Sequence, residues 1–153
     1  WELLLQLHLT VPFMLIQNFL KQKPLSMGRI INISSVHGLV ASVNKSAYVA
    51  AKHGLIGLSK TVALETAGSG VTCNSICPGW VKTPLVENQI QDRAKKENIS
   101  IEQASVKLLE EKQPSKTFTE VSDIAELVLF LCSPAGKNIT GSSMTLDGGW
   151  TSQ

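Results

Sequence analysis

Apolar positions run almost unbroken through the first twenty residues, interrupted by Glu2, Gln6, His8, Gln17 and Asn18. A run of that length without alternation predicts a helix to about residue 21, apolar nearly all round and so covered on more than one side. Pro12 in its middle predicts a bend or one missing backbone hydrogen bond. Residues 23–28 read as a loop. Residues 29–34 then form a short β-branched run of the kind buried in a parallel sheet. Small and apolar residues from 46 to about 67 predict a long helix. Gly54 and Gly57 inside it would each cost about 1 kcal/mol relative to Ala, which implies close approach of a neighbouring helix. Gly68-Ser69-Gly70 ends that helix, and residues 71–77 form a second strand, broken by Pro78-Gly79.

From residue 81 to about 116 the chain is at its most polar, with helical patches near 86–96 and 101–111. The stretch is longer than a connector needs to be. A surface excursion is one reading; a helical lid over about 82–117 that closes on substrate and excludes water is the better one. A helix over 120–132 follows, with Thr119 as its N-cap and Pro134 beyond its end, then a last strand at 143–146 closed by Asp147-Gly148-Gly149. Helices alternating with apolar strands mean an α/β fold around a parallel sheet. Three strands are few for a doubly wound sheet, and the chain opens at Trp1 inside a helix, so further strands are expected upstream.

Composition narrows the class. The 153 residues are 43% hydrophobic and 17% charged, enough for one compact domain with deeply buried strands or a large subunit interface. A net charge of +2 with scattered lysines offers no basic stripe for nucleic acid. Three cysteines without CxxC or Cys/His ligand spacing support neither a disulfide framework nor a metal site, and read as reduced side chains of a cytoplasmic protein. The polar residues of the first helix, and its lack of a basic leader, argue against a membrane span or signal peptide.

Tyr48 and Lys52 are four apart in the first turns of the long helix, hence on one face. An ammonium there favours the tyrosinate, so the phenol can exchange a proton with an alcohol or ketone. An isolated pair of this kind is more often a solvated one. Two facts shift the balance: Tyr48 is the chain's single tyrosine, and Ser35 stands at the C-terminal end of a buried strand. That edge is where open α/β sheets bind ligands, and a hydroxyl there can donate to an oxygen gaining charge.

Asn32-Ile33-Ser34-Ser35, then Tyr48-xxx-Lys52, then Pro78-Gly79-Trp80-Val81-Lys82-Thr83 resembles the short-chain dehydrogenase/reductase family, in order and spacing, over essentially the whole chain. The resemblance implies a Rossmann-like parallel sheet with helices on both faces and an NAD(P)-dependent alcohol/carbonyl interconversion. Tyr48 would be the general acid/base, Lys52 would support it and hold the nicotinamide ribose, and Ser35 would position the reacting oxygen. Asn32, Tyr48, Lys52, Pro78, Gly79, Val81 and Thr83 would form the nicotinamide side of the cofactor site. Family members are commonly homotetramers.

Within the family, GRIINISSVHGLVASVNKS (28–46), CPGWVKTPLV (77–86), EKQPS (111–115) and DGGW (147–150) are most similar to soluble 3-hydroxybutyrate dehydrogenases. A small anionic hydroxy or keto acid is the substrate this implies. His37, Lys45, Gln89 and Trp150 agree with it, since all can donate hydrogen bonds to a carboxylate in a water-poor pocket. Taken singly, Lys45 is a loop lysine, His37 a turn cap, Gln89 helix surface and Trp150 a core or subunit contact.

The chain departs from the family twice. It lacks the Gly-rich phosphate loop TGxxxGxG and the residue that separates NAD from NADP, so NAD is expected from the resemblance alone. The family's first helix carries an Asn that holds a water in a proton relay; here the matching triplet is His8-Leu9-Thr10. Imidazole can also hold a water but titrates near pH 6.5, and a buried His bonded to a carbonyl is the alternative.

Overall fold

A computed structural model of the chain describes residues 1–22 and 26–152; residues 23–25 of the expected loop lie outside the described residues. Three parallel strands form one sheet in the order β1 (Gly28–Ile33), β2 (Val71–Pro78), β3 (Ser143–Leu146). Ile30 pairs with Cys73 and Ser75 with Ser143. β2 is buried along its entire length, as a central strand must be, and its polar residues Asn74 and Ser75 are hydrogen-bonded there to Ile139 O and Ser59 Oγ.

Helix α1 (Glu2–Leu20) is continuous but not regular. Gln6–Thr10 is a π turn in which the Val11 N–H donates to Gln6 O, five residues back. Pro12 has no N–H, and its ring would strike the carbonyl of His8 in a regular helix; the widened turn absorbs both defects. The expectation of a helix covered on several sides is not met within this chain. Of α1 only Ile16 is buried, while Leu3, Leu7, Phe13, Met14 and Leu15 are exposed. With no polar face, one stripe packs inward and the rest meets nothing among the described residues. By length and composition alone α1 could cross a bilayer.

Helix α2 (Ser46–Glu65) lies against β2. Ile16 of α1, Val62 and Ala63 of α2, and Ile30, Val71 and Cys73 of the sheet make the main core. The close-packing expectation is met at Gly54, where a Cβ would come within 2.9 Å of Leu9, but not at Gly57, which faces open space. Inside this interface Ser59 accepts from Asn32 Nδ2 at 2.8 Å and from Ser75 Oγ at 2.9 Å, tying β1 and β2 to the helix.

The polar stretch folds as a helical hairpin, α3 (Pro84–Glu97) and α4 (Ile101–Glu110), close to the expected bounds. It has a small core of its own: Val86, Ile90, Ala94, Ala104 and Leu108, flanked by Trp80 and Phe118. Helix α5 (Val121–Cys132) begins one residue later than expected. Its N-cap is Glu120, whose N–H donates to Asp123 at 2.8 Å. Thr119 is not the cap because its hydroxyl is spent on Leu146 O at 2.9 Å, pinning the end of the hairpin to β3.

Candidate active site

The C-terminal ends of β1 and β2 deliver the chemistry. Past Ile33 the chain leaves β1 through Ser34 and Ser35 into a 3-10 turn, Val36–Gly38. Ser35 Oγ accepts from the His37 N–H at 3.1 Å, which fixes its rotamer at the mouth of the sheet. This turn lies tight on α2. A Cβ on Gly38 would fall 2.8 Å from Lys52 O and 2.7 Å from Ser34 Oγ, so a glycine is needed there.

From α2, Lys52 reaches back and its Nζ donates to Ile33 O at 2.9 Å, with the side chain only 6% exposed. The same Nζ lies 5.6 Å from the centroid of the Tyr48 ring, one turn earlier. Burial lowers the Lys52 ammonium from its ordinary range, partly opposed by Cys77, which is itself raised by burial. Ser34 Oγ donates to Lys52 O at 3.2 Å, so β1 and the first turns of α2 are bound together on both sides of the amine.

Tyr48 is flanked by two imidazoles, His8 with ring centroids 5.3 Å apart and His37 at 5.8 Å. His8 is lowered from its usual value by burial and then by Lys52. His37 is held down to about 4, first by burial and then by Lys45, His53 and Lys112, so its ring is neutral at pH 7. Its Nε2 is 2.9 Å from Ser42 Oγ and its Nδ1 3.4 Å from Ser35 Oγ, a frame that orients the imidazole.

Ser35, His37, Lys45, Tyr48, Gly79, Val81, Thr83, Gln89 and Trp150 all line one cleft of about 520 Å³. The sequence had placed these nine residues in three separate segments; the fold brings them together. Lys52 and His8 stand behind Tyr48 and do not line the cleft. Asn32 and Pro78 are likewise outside it. Asn32 commits its amide to Ser59, which turns it toward α2 and away from the cleft. Thr83 lines the cleft while its Oγ1 accepts from the Val86 N–H, capping α3. The sheet edge and the hairpin therefore meet at Thr83.

Trp80 was not singled out by the sequence reading. Its ring lies 5.8 Å from that of Trp150 and 5.8 Å from Lys45 Nζ, and its Nε1 is buried without a hydrogen-bond partner. Its position directly after Pro78-Gly79 was the available signal. The polar lining thus includes the Ser35 and Thr83 hydroxyls, a phenol, an ammonium, the Gln89 amide and a neutral imidazole, set among two indoles and aliphatic side chains. That set suits a small molecule with an anionic end and a reactive oxygen. A nicotinamide would fit beside Tyr48, where the Val81 backbone and Thr83 hydroxyl supply hydrogen-bonding groups for a carboxamide. Among the described residues no cluster of His, Cys, Asp and Glu has the makings of a metal site.

Comparison with known proteins agrees with this arrangement. The family model described as enoyl-(acyl carrier protein) reductase matches residues 1–151. The chain is 50% identical over 156 residues to the D-beta-hydroxybutyrate dehydrogenase of Cupriavidus necator, covering all of this chain and 60% of the relative. A short chain dehydrogenase family protein from Francisella tularensis superposes with a TM-score of 0.87 at 31% identity, covering 97% of this chain and 61% of that one. A 4-hydroxyisoleucine dehydrogenase mutant complexed with NADH and succinate gives 0.86 at 33% identity, covering 97% and 58%.

Proposed function

The chain belongs to the short-chain dehydrogenase/reductase family, with a Rossmann-like fold, and on that premise we propose that it is the catalytic part of an enzyme that interconverts 3-hydroxybutyrate and acetoacetate with NAD. The chain spans about 60% of the length of the curated relatives it matches, so this concerns the complete enzyme. The observation that carries the proposal is the single cleft in which Ser35 and Tyr48 face Lys45, His37, Gln89 and Trp150. The first pair suits a carbinol oxygen and the second group a carboxylate. Similarity to two D-beta-hydroxybutyrate dehydrogenases, and a structural neighbour that holds succinate with NADH, support the same reading.

Bound nicotinamide would supply the hydride acceptor or donor. In oxidation, the Tyr48 phenolate oxygen takes the hydroxyl proton as the carbinol carbon gives up its hydride. In reduction it returns that proton to the new alkoxide. Ser35 Oγ donates to the same substrate oxygen, stabilising the charge that develops there. Lys52, fixed by Ile33 O, holds its amine 5.6 Å from the centroid of the Tyr48 ring, where it can steady charge that develops on the phenol oxygen during proton transfer. Lys45 neutralises the carboxylate. His37, held by Ser42 and Ser35, and the two indoles wall that end of the cleft and exclude water, and closure of α3 and α4 would complete that exclusion.

The test is selective loss. Replacing Lys45 or His37 with Ala should raise KM for a hydroxy acid by about ten- to a hundredfold, the loss of one charged hydrogen bond, while a neutral secondary alcohol is affected less than twofold. Equal effects on both substrates would remove the carboxylate from the proposal. The partial span favours a second reading, in which the 153-residue chain alone does not turn over. Titration with NADH fluorescence decides this, since an absence of binding at millimolar cofactor would restrict activity to a longer protein. The exposed apolar side of α1 also supports a homo-oligomer of the complete enzyme, as in the family's tetramers.

A further inference from the structure

Gln113 is buried to 1% exposure and belongs to the EKQPS segment, to which no role has yet been given. It sits where the α3–α4 hairpin returns to the sheet, and each of its polar groups is used. Its backbone N–H donates to Leu109 O at 2.8 Å, and its carbonyl accepts from the Lys116 N–H at 2.9 Å. In the side chain, Oε1 accepts the Trp80 N–H at 3.0 Å and Nε2 donates to Thr117 O. The amide orientation is fixed by these partners, since an N–H can meet only the oxygen and a carbonyl only the NH₂.

The surroundings leave no slack. A Cβ on Gly79 would stand 2.7 Å from Gln113 Oε1, and one on Gly148 would stand 2.7 Å from Gln113 Cγ. The other backbone group of Trp80, its carbonyl, accepts the Thr119 N–H at 2.9 Å. Both backbone hydrogen bonds of Trp80 therefore go to the segment returning from the hairpin. This same Trp80 presents its indole to Trp150 and carries the unpartnered Nε1.

We propose that Gln113 is a positioning residue for the substrate end of the cleft: its amide sets the indole of Trp80 and ties that indole to the base of the hairpin. Movement of α3 and α4 is thereby transmitted to the wall that faces the substrate, and not to the Ser35–Tyr48 side. The kinetic part rests on the proposed hydroxy-acid activity; the placement of Trp80 does not.

The experiment has a spectroscopic arm and a kinetic arm. Gln113→Met keeps the volume and removes both hydrogen bonds. In a background where Trp1 and every other tryptophan of the complete enzyme except Trp80 and Trp150 is replaced by Phe, near-ultraviolet circular dichroism reports the mutual geometry of those two. Gln113→Met should weaken that signal while the far-ultraviolet spectrum stays unchanged. In the complete enzyme it should raise KM for the hydroxy acid about tenfold, with KM for the cofactor and kcat within twofold. Gln113→Glu provides a conservative rescue. Its neutral carboxyl presents the same acceptor and donor, so it should behave like the parent at low pH and like the Met variant once ionised. An unchanged tryptophan signal in Gln113→Met overturns the proposal, as does a parallel rise of both KM values. An enzyme inactive on hydroxy acids would sink the functional reading while leaving the spectroscopic result to decide this one.

Discussion

The imidazole of His8 meets the ring of Tyr48 edge to face, with the two planes at 90° and the centroids 5.3 Å apart. The contact depends on backbone chemistry four residues away. Pro12 forces the π turn at Gln6–Thr10, and that turn rotates His8 relative to a regular helix. With burial and Lys52 both lowering His8, the ring is neutral at working pH and able to accept or pass a proton.

His8→Asn in the complete enzyme is expected to change the acid limb of the rate–pH profile. As pH falls through the depressed His8 value, the ring takes up a proton and can no longer accept one from the Tyr48 and Lys52 side. The Asn variant has no group there to titrate and should retain several-fold more of its rate at the foot of the acid limb. Superimposable profiles would leave His8 a packing residue.

Much of this was legible in the sequence, for local reasons. β2 showed as a strand because its β-branched and apolar residues Val71, Thr72, Cys73, Ile76 and Cys77 stand between two breaks, Gly68-Ser69-Gly70 and Pro78-Gly79. That Tyr48 and Lys52 share a face followed from helical periodicity, but reading them as a site also needed Ser35 at a strand end and the family resemblance. What the sequence hid was either geometric or non-local. Composition shows that α1 is apolar but not that only one stripe finds a partner, so its exposure came as a correction. Thr119 had the chemistry of an N-cap, but its hydroxyl reaches Leu146, distant in sequence. Asn32 belongs to a recognisable motif, yet the register of β1 aims it at Ser59. Trp80 and Gln113 lie thirty-three residues apart and meet only after the hairpin folds.

Gly38→Ala tests how closely the catalytic turn is fitted to α2. The new methyl would lie 2.6 Å from Ile56 Cδ1, which can move, and 2.8 Å from Lys52 O, which is helix backbone and cannot. Relief requires the 3-10 turn to shift, and Ser35 and His37 shift with it. Thermal denaturation should show a loss of about 1–3 kcal/mol, the usual cost of overpacking, with kcat falling more than either KM. An unchanged melting temperature would mean that the turn is looser than its contacts indicate.

The most quantitative expectation concerns His37 and acid. The ring is 5% exposed, packed between Tyr48 and Trp150, and faces the positive charge of Lys45. Its folded value of about 4 lies below the 6.5 of the unfolded chain, so protons bind the unfolded state more tightly. Its contribution to stability is fully present above pH 6.5 and is lost as pH falls toward 4, below which no further change arises from this group. The shift amounts to at most about 3 kcal/mol, most of it spent by pH 4.5. His8 is lowered too and adds to the parent's pH dependence in the same direction, so the informative quantity is a difference between variants. Urea unfolding of parent and His37→Gln at pH 7.5 and 4.5 isolates it. The parent should lose about 2 kcal/mol more than the variant between those pH values, and the excess should shrink at pH 4.5 if Lys45 is replaced by Met, because one source of the depression is gone. Parallel losses in parent and His37→Gln would show that the imidazole is solvated in solution, and the water-poor pocket argued for the substrate's carboxylate would go with it.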